Sequence, residues 1–389
     1  MRESNISVVV CDDSALMRNL VGKMVENAEG LELAGKAING AFLLQKIPRL
    51  QPDVIVLDLE MPEMNGIEFL KERKRRHIDI PVIILSSIAR RGAKVTMEAL
   101  ALGASDFITK PSGSISEDIH LVERQLVTML KAYGGKYRTR LRRRVSGESR
   151  PEGGMVPPTP EAAIRAPIRP APSGVVSVVE PPLVEVSTVE APVSRQEAGA
   201  IELLAIGIST GGPNALRKMF ALIDADFPVP IVVVQHMPAG FTLEFAKSLD
   251  RICPLEVKEA SDGDVLKTGR VLICPGNYHI TVEKRRLAGV IRLNQKDPVN
   301  GHRPSVDVLF ASVAREYGGQ SMGVIMTGMG KDGASEIGSI HKKGGITIAQ
   351  DQESSIVYGM PKVAAELGHI QHIVPLHEMA ETINRLVRE

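Results

Sequence analysis

The sequence predicts an α/β protein with two parallel-sheet domains joined by a proline-rich linker. Short apolar runs rich in valine and isoleucine alternate with stretches of helical periodicity, both in the first third and in the last half of the chain. Polar residues or glycines directly follow most of these runs. Between the two halves, residues 151–200 contain ten of the 25 prolines. This pattern predicts doubly wound sheets flanking a segment without a continuous core.

Length and composition narrow the class of protein. The 389 residues suffice for two or three domains, and 43% apolar and 24% charged residues are typical of globular proteins. A net charge of +1 and 3% aromatic residues argue against nucleic acid or a membrane as partner. The three cysteines form no CxxC pair, and there is neither a signal sequence nor an apolar stretch of about 18 residues. We therefore expect a cytoplasmic protein without membrane insertion.

The first domain, residues 1–130, is predicted from four apolar runs that end in polar residues. Because the carboxyl ends of parallel strands meet at one sheet edge, the residues that follow these runs should lie close together. Three carboxylates at one edge repel each other unless a hard cation is bound, and Mg²⁺ prefers oxygen ligands. An aspartate beside Mg²⁺ can form an acyl phosphate, whereas an isolated one more often caps a helix. The polar residues are Asp12, Asp13, Asp58, Ser86 and Lys110.

Residues 5–130 resemble the receiver domain of two-component response regulators, which has a flavodoxin-like fold. The resemblance implies that Asp58 is the phosphoacceptor and that Asp12 and Asp13 bind Mg²⁺ together with it. It also implies that Ser86 and Lys110 contact the phosphoryl group and that Phe107 is the switch aromatic, although a core residue is an equal alternative for Phe107. The matching motifs are Val10-Cys11-Asp12-Asp13-Ser14, Leu57-Asp58-Leu59-Glu60-Met61-Pro62, Asn65-Gly66, Leu85-Ser86-Ser87 and Thr109-Lys110-Pro111.

The linker is predicted over residues 131–199. Its first twenty residues hold eight lysines and arginines against one glutamate, with the basic run at 136–144. Such a run can contact nucleic acid or an anionic membrane, but it is more often the solvated end of a helix. The proline-rich remainder is expected to be extended and partly disordered.

The second domain, residues 200–389, begins with the turn Gly207-Ile208-Ser209-Thr210-Gly211-Gly212 after an apolar run. A buried strand, a glycine turn and a helix opening at Pro213 would place Ser209 at the carboxyl end of a sheet. A phosphate cradle or a plain strand-to-helix corner would show the same local pattern. The turn alone therefore does not establish a nucleophile.

Two later strands supply the partners that a serine nucleophile needs. His236 follows the apolar residues 231–234, and Asp332 follows residues 323–326 and a glycine-rich corner around Met329. A histidine can take the serine proton, a carboxylate can orient the histidine, and backbone N–H groups of the corner can bind the oxyanion. Rival candidates are His279, His302 and Asp351. The spacing of the nine histidines offers no metal cluster, so we expect no cofactor in this domain.

Residues 200–389 resemble the catalytic domain of the chemotaxis methylesterase family, in which it follows a receiver domain. The resemblance implies Ser209 as nucleophile, His236 as base, Asp332 as orienting acid and Met329 at the oxyanion turn. One departure is Ile208, where alanine is expected, and another is the length of the linker. The motifs are Gly-Ile-Ser209-Thr-Gly-Gly-Pro, Gln-His236-Met-Pro-Ala-Gly-Phe-Thr, Pro-Gly-Asn277-Tyr-His279, Arg303-Pro-Ser-Val-Asp307 and Thr-Gly-Met329-Gly-Lys-Asp332-Gly.

The resemblance implies a protein-glutamate methylesterase and glutamine deamidase that serves chemotactic adaptation. Its substrates would be methyl-accepting chemotaxis receptors, and a chemotaxis histidine kinase would donate the phosphoryl group. We expect the unphosphorylated receiver to cover the active site and phosphorylation of Asp58 to expose it. The alternatives are a response regulator whose second half only binds a partner protein, and a DNA-binding regulator, for which no recognition helix is evident.

Overall fold

A computed structural model describes residues 5–87, 90–110, 119–146 and 199–389. The described residues up to 139 and from 199 onwards form one compact unit that contains two parallel sheets. The predicted α/β class is thus confirmed. Most of the predicted linker, residues 147–198, lies outside the described residues.

The first sheet has five parallel strands in the order β2-β1-β3-β4-β5, the order of flavodoxin-like folds. The sequence analysis missed β2, because Glu32, Gly35 and Lys36 interrupt its apolar pattern. Helix α5 continues past residue 130, where we placed the end of the first domain. The strands are β1 Ile6–Cys11, β2 Leu31–Ala37, β3 Val54–Asp58, β4 Val82–Ser86 and β5 Asp106–Thr109; the helices are α1 Ala15–Glu26, α2 Gly40–Leu50, α3 Gly66–Arg75, α4 Arg90–Ala101 and α5 Ile119–Ser146.

The second sheet has seven parallel strands in the order β14-β13-β12-β6-β7-β9-β8. Strand β6 lies between β7 and β12, so the residues that follow these three strands are neighbours at one edge. Each of the three is buried along its whole length. The strands are β6 Leu203–Ile208, β7 Ile231–Gln235, β8 Glu256–Glu259, β9 Arg270–Ile273, β12 Ser321–Ile325, β13 Ile346–Gln350 and β14 His372–Val374.

Helices cover the second sheet, and an antiparallel hairpin of β10 and β11 packs against α8. Gly207 in β6 lets α8 approach closely, because a Cβ there would lie 2.1 Å from Cγ1 of Val306. No helix in the described ranges has the length and apolar character needed to cross a bilayer. The elements are α6 Gly212–Phe220, α7 Phe241–Asp250, β10 His279–Lys284, β11 Gly289–Asn294, α8 Val306–Tyr317, α9 Ile337–Lys342, α10 Met360–Glu366 and α11 Met379–Leu386.

Candidate active site and phosphoacceptor site

The serine turn joins β6 to α6 and is fixed from both sides. The Ser209 N–H donates to the Thr327 carbonyl after β12 at 3.0 Å. Its own carbonyl accepts a hydrogen bond of 3.1 Å from Nε2 of Gln235, the last residue of β7. Gly211 adopts a φ of 82°, which a residue with a side chain adopts only under strain. The turn therefore holds Ser209 at the centre of the sheet edge.

Ser209, His236 and Asp332 form one hydrogen-bonded chain across this edge. Nδ1 of His236 lies 3.1 Å from Oγ of Ser209, and Nε2 lies 2.8 Å from Oδ2 of Asp332. The His236 side chain is 8% exposed and that of Asp332 is fully buried. With Nε2–H donating to the carboxylate, Nδ1 is left free to accept the serine proton. The structure brings together the three residues that the sequence analysis selected.

Asp332 accepts hydrogen bonds from five donors. Besides His236, these include Nδ2 of Asn300 at 2.9 Å and Oγ of Ser305 at 2.7 Å. Two further donors are backbone N–H groups of the first turn of α8, at Val306 and Asp307. Burial alone would raise the pKa of Asp332, but the hydrogen bonds from His236, Asn300 and Ser305 outweigh it and hold the pKa well below its usual range. The carboxylate therefore stays ionised beside His236.

The corner after β12 lies directly against Ser209. A Cβ on Gly328 would approach Cβ of Ser209 to 2.7 Å. The Gly328 N–H donates to the Val357 carbonyl at 3.0 Å, whereas the Met329 N–H makes no hydrogen bond within the described part of the chain. The Met329 side chain is 39% exposed. The corner thus leaves the Met329 N–H without a hydrogen bond among the described residues, next to the glycine that contacts Ser209.

Two of the rival candidates are engaged elsewhere. His279 is buried, with Nε2 at 3.1 Å from the Asp297 carbonyl, and its Nδ1 accepts from the Ser305 N–H at 3.3 Å. Asp351 accepts hydrogen bonds from the backbone and hydroxyl of Ser354. Neither residue takes part in the chain of hydrogen bonds from Ser209.

The third rival candidate, His302, contacts His236 directly. Its ring stacks on that of His236, with centroids 3.9 Å apart and planes inclined by 12°. Together with Asn300 it lies on a tight hairpin that the sequence analysis missed. The signal was present, since Asn300-Gly301 is a preferred pair for a two-residue hairpin turn. Both residues have positive φ, 53° and 77°.

The acidic cluster of the first sheet also assembles as predicted. Carboxylate oxygens of Asp12, Asp13 and Asp58 all lie within 4.8 Å of one another. Nζ of Lys110 is 2.9 Å from Asp12 and 2.8 Å from Asp58. Burial raises the pKa of Asp58, and Asp12 adds to this effect, although Lys110 opposes it. Carboxylate oxygens are the ligands that a hard cation prefers, so the three clustered side chains suit such an ion, although Lys110 already neutralises part of their charge.

Comparison with known proteins identifies both halves of the chain. A family model described as the response regulator receiver domain matches residues 8–121, and one described as CheB methylesterase matches residues 204–383. A protein-glutamate methylesterase/protein-glutamine glutaminase of Treponema denticola is 54% identical over 389 residues, covering 99% of each chain. The protein of that name from Treponema pallidum is 52% identical over 400 residues, covering 99% of this chain and 98% of its own.

The chain belongs to the protein-glutamate methylesterase/protein-glutamine glutaminase family.

Solved structures match each half separately. The CheB methylesterase catalytic domain of Thermotoga maritima is 39% identical, with a TM-score of 0.47, and covers 48% of this chain and all of its own. The response regulator domain of Thermotoga maritima CheB is 40% identical, with a TM-score of 0.31, and covers 34% of this chain and 97% of its own. The resemblance to both domain families found in the sequence is confirmed by the family models.

In this methylesterase family member, the Ser86 hydroxyl is bonded within the receiver domain, whereas Phe107 contacts the second domain. Oγ of Ser86 lies 2.6 Å from Oγ1 of Thr96 on α4, so in this state the hydroxyl is bonded to α4. Phe107 is half-buried and stacks on Phe241, the first residue of α7, with ring centroids 5.0 Å apart. Phe107 is therefore a contact residue between the receiver and methylesterase domains as well as part of the apolar core.

Polar contacts join the receiver domain to the serine turn. Oδ2 of Asp106 accepts a hydrogen bond of 2.7 Å from the Gly211 N–H, two residues after Ser209. Nδ2 of Asn214 donates to the carbonyls of Ala104 at 2.9 Å and Ser105 at 2.7 Å. The receiver and methylesterase domains share a cavity of about 280 Å³ at Ser209, lined by receiver residues 106–109 among others. The receiver thus forms one wall of the site.

Proposed function

We propose that this chain hydrolyses γ-glutamyl methyl esters, and deamidates some glutamines, on methyl-accepting chemotaxis receptors. Ser209, His236 and Asp332 would carry the reaction. The observation that supports this proposal most directly is the unbroken hydrogen-bonded chain from Oγ of Ser209 through His236 to Asp332. The names of the relatives supply the substrate class.

In the proposed mechanism, Nδ1 of His236 takes the proton of Ser209 as Oγ attacks the side-chain carbonyl carbon. The negative charge that develops on the carbonyl oxygen is bound by backbone N–H groups, with Met329 as one donor. Collapse of the tetrahedral intermediate expels methanol or ammonia, which receives the proton from His236. Water then attacks the acyl-serine with His236 again as base. The bond to Oγ of Ser209 breaks, the glutamate side chain is released, and Oγ takes back the proton from His236. Asp332 stabilises the imidazolium in both halves.

The receiver site would control this reaction through Asp58. Asp58 would accept the phosphoryl group from a chemotaxis histidine kinase, with Asp12, Asp13 and Asp58 as the residues that hold Mg²⁺. When bound, Mg²⁺ would neutralise charge on the phosphoryl oxygens. The Lys110 ammonium already lies between Asp12 and Asp58 and would turn to the phosphoryl group. The Ser86 hydroxyl would leave Thr96 to make a second contact.

Regulation would then follow from the contacts at the serine turn. Without phosphorylation, Asp106 holds the Gly211 N–H and Phe107 stacks on Phe241, which keeps a receptor helix away from Ser209. Movement of Ser86 and Phe107 toward a phosphorylated Asp58 would break these contacts and open the site. We expect the reaction to take place in the cytoplasm, where the methylated part of such receptors lies.

The test measures methanol release from a methylated receptor fragment by wild type, Ser209→Ala and Asp58→Asn, each with and without acetyl phosphate and Mg²⁺. The proposal requires release that depends on Ser209 and a stimulation by acetyl phosphate that depends on Asp58. Full activity of Ser209→Ala would refute the triad. Equal stimulation of Asp58→Asn and wild type would refute the phosphoacceptor. The free methylesterase domain should be faster than the unphosphorylated chain if the receiver covers the site.

A further inference from the structure

The imidazole rings of His236 and His302 form a parallel stack. His302 lies face to face with His236, with ring centroids 3.9 Å apart and planes inclined by only 12°. The ring nitrogens of His302 make no hydrogen bond within the described ranges, so they do not compete for Ser209 or Asp332. Burial lowers the pKa of His302 to about 4, and the charge of His236 acts in the same direction. At neutral pH, His302 is therefore an uncharged aromatic face.

A short hairpin, closed by two hydrogen bonds, holds the His302 ring against His236. The Val299 N–H donates to the His302 carbonyl at 3.1 Å, and the His302 N–H donates to the Val299 carbonyl at 2.9 Å. Asn300 and Gly301 form the turn between them, and Asn300 is held by hydrogen bonds from its amide to Asp307 at 2.6 Å and Asp332 at 2.9 Å. One short hairpin thus supports the carboxylate through Asn300 and the histidine through His302.

We propose that His302 is a positioning residue that holds the ring of His236 in place and stabilises its protonated form by stacking. This inference rests on the proposed function of Ser209 and His236. His236 becomes positively charged when it takes the serine proton. A neutral aromatic face attracts a cation, and a desolvated pair of this kind changes an equilibrium by about tenfold. The stack therefore favours the charged intermediate over the resting state and raises kcat more than it affects KM.

The stack also limits how the ring can turn. His236 has to present Nδ1 to Ser209 and Nε2 to Asp332 at once, and rotation about its second side-chain torsion would break both hydrogen bonds. His302 on one face blocks this rotation. A flat aromatic side chain of any kind should serve, whereas an aliphatic side chain of similar volume should fill the space without stabilising the cation.

The test compares His302→Ala, His302→Leu and His302→Phe in the full chain, with acetyl phosphate and Mg²⁺ present. We expect kcat for methanol release to fall about tenfold in the alanine and leucine variants, with KM changed less than about twofold. The phenylalanine variant should stay within about threefold of wild type. The rate at which a small fluorophosphonate labels Ser209, with loss of fluoride, should follow the same order, with Ser209→Ala as the unlabelled control.

The outcomes separate this inference from the proposed function. Labelling of wild type with equal rates in all three variants would overturn the role of His302 and leave the triad intact. A phenylalanine variant as slow as alanine would also overturn it, since the effect would then belong to a ring nitrogen. No labelling of wild type would refute the proposed function itself. If thermal unfolding shows that the alanine variant does not fold, the comparison of leucine with phenylalanine decides.

Discussion

Asn214→Ala should raise the activity of the unphosphorylated chain by weakening the contact between the receiver and methylesterase domains. The Asn214 amide donates to two receiver carbonyls, those of Ala104 and Ser105. Each partly buried hydrogen bond contributes about 1 kcal/mol, so the substitution should weaken closure by about 2 kcal/mol. That corresponds to a shift of about 30-fold in the equilibrium between closed and open states. Methanol release without phosphodonor should rise toward, but not above, the rate with acetyl phosphate.

The matched control is Asn384→Ala. Nδ2 of Asn384 likewise bonds two groups, the Leu222 carbonyl at 3.4 Å and Oδ1 of Asp224 at 2.9 Å, but both lie in the methylesterase domain. Its loss should reduce the free energy of unfolding without raising basal activity. Unchanged basal activity of Asn214→Ala, or an equal rise in both variants, would refute the view that these contacts restrain the site.

Three further predictions concern the triad carboxylate, the buried interface carboxylate and the close approach of α8. Asp332→Asn should lower kcat for methanol release by about 10³- to 10⁴-fold, because the amide no longer stabilises the protonated His236; a loss below tenfold would contradict this role. Burial raises the pKa of Asp106 to about 6 from 3.8, so folding disfavours its ionised form. The free energy of unfolding should therefore decrease as the pH rises from about 4 to about 6. In urea unfolding, the stability of Asp106→Asn relative to wild type should therefore improve by up to about 3 kcal/mol across that window, and a pH-independent difference would contradict the assignment. Gly207→Ala should lower the free energy of unfolding by about 1–3 kcal/mol, since the new methyl would lie 2.1 Å from a valine of α8. Thermal unfolding should show this loss in Gly207→Ala and no destabilisation in the control Gly135→Ala on α5, where the Cβ would have open space around it.

The parts of the site that could be predicted from sequence are those fixed by strand ends. Asp58 is the last residue of β3 and Lys110 follows β5, while Ser209 and His236 follow β6 and β7. The parallel arrangement alone therefore brings each pair to one edge. Buried parallel strands are nearly continuous apolar runs, so their ends can be located in the sequence. Strand β2 was missed because Glu32, Gly35 and Lys36 interrupt its apolar pattern.

The remaining parts depend on contacts between distant segments. No local sequence pattern predicts that the hairpin around Asn300 contacts Asp332, or that His302 rather than another histidine stacks on His236. The contact of Asp106 with Gly211 joins residues 105 positions apart. From sequence alone, Asp106 is predicted only as the start of a strand in one domain, and Gly211 only as part of a turn in the other. Such contacts are set by the packing of whole domains rather than by local preference.

The hydrogen bond between Asp106 and Gly211 has a consequence for the kind of inhibition to expect. Asp106 bonds the Gly211 N–H, two residues after Ser209, so the closed receiver lies on the turn that carries the nucleophile. In enzymological terms, the receiver would act as a tethered inhibitor built into the same chain. Its effective concentration is set by the covalent connection rather than by the amount of protein. Inhibition should therefore be competitive with the receptor substrate and independent of enzyme concentration.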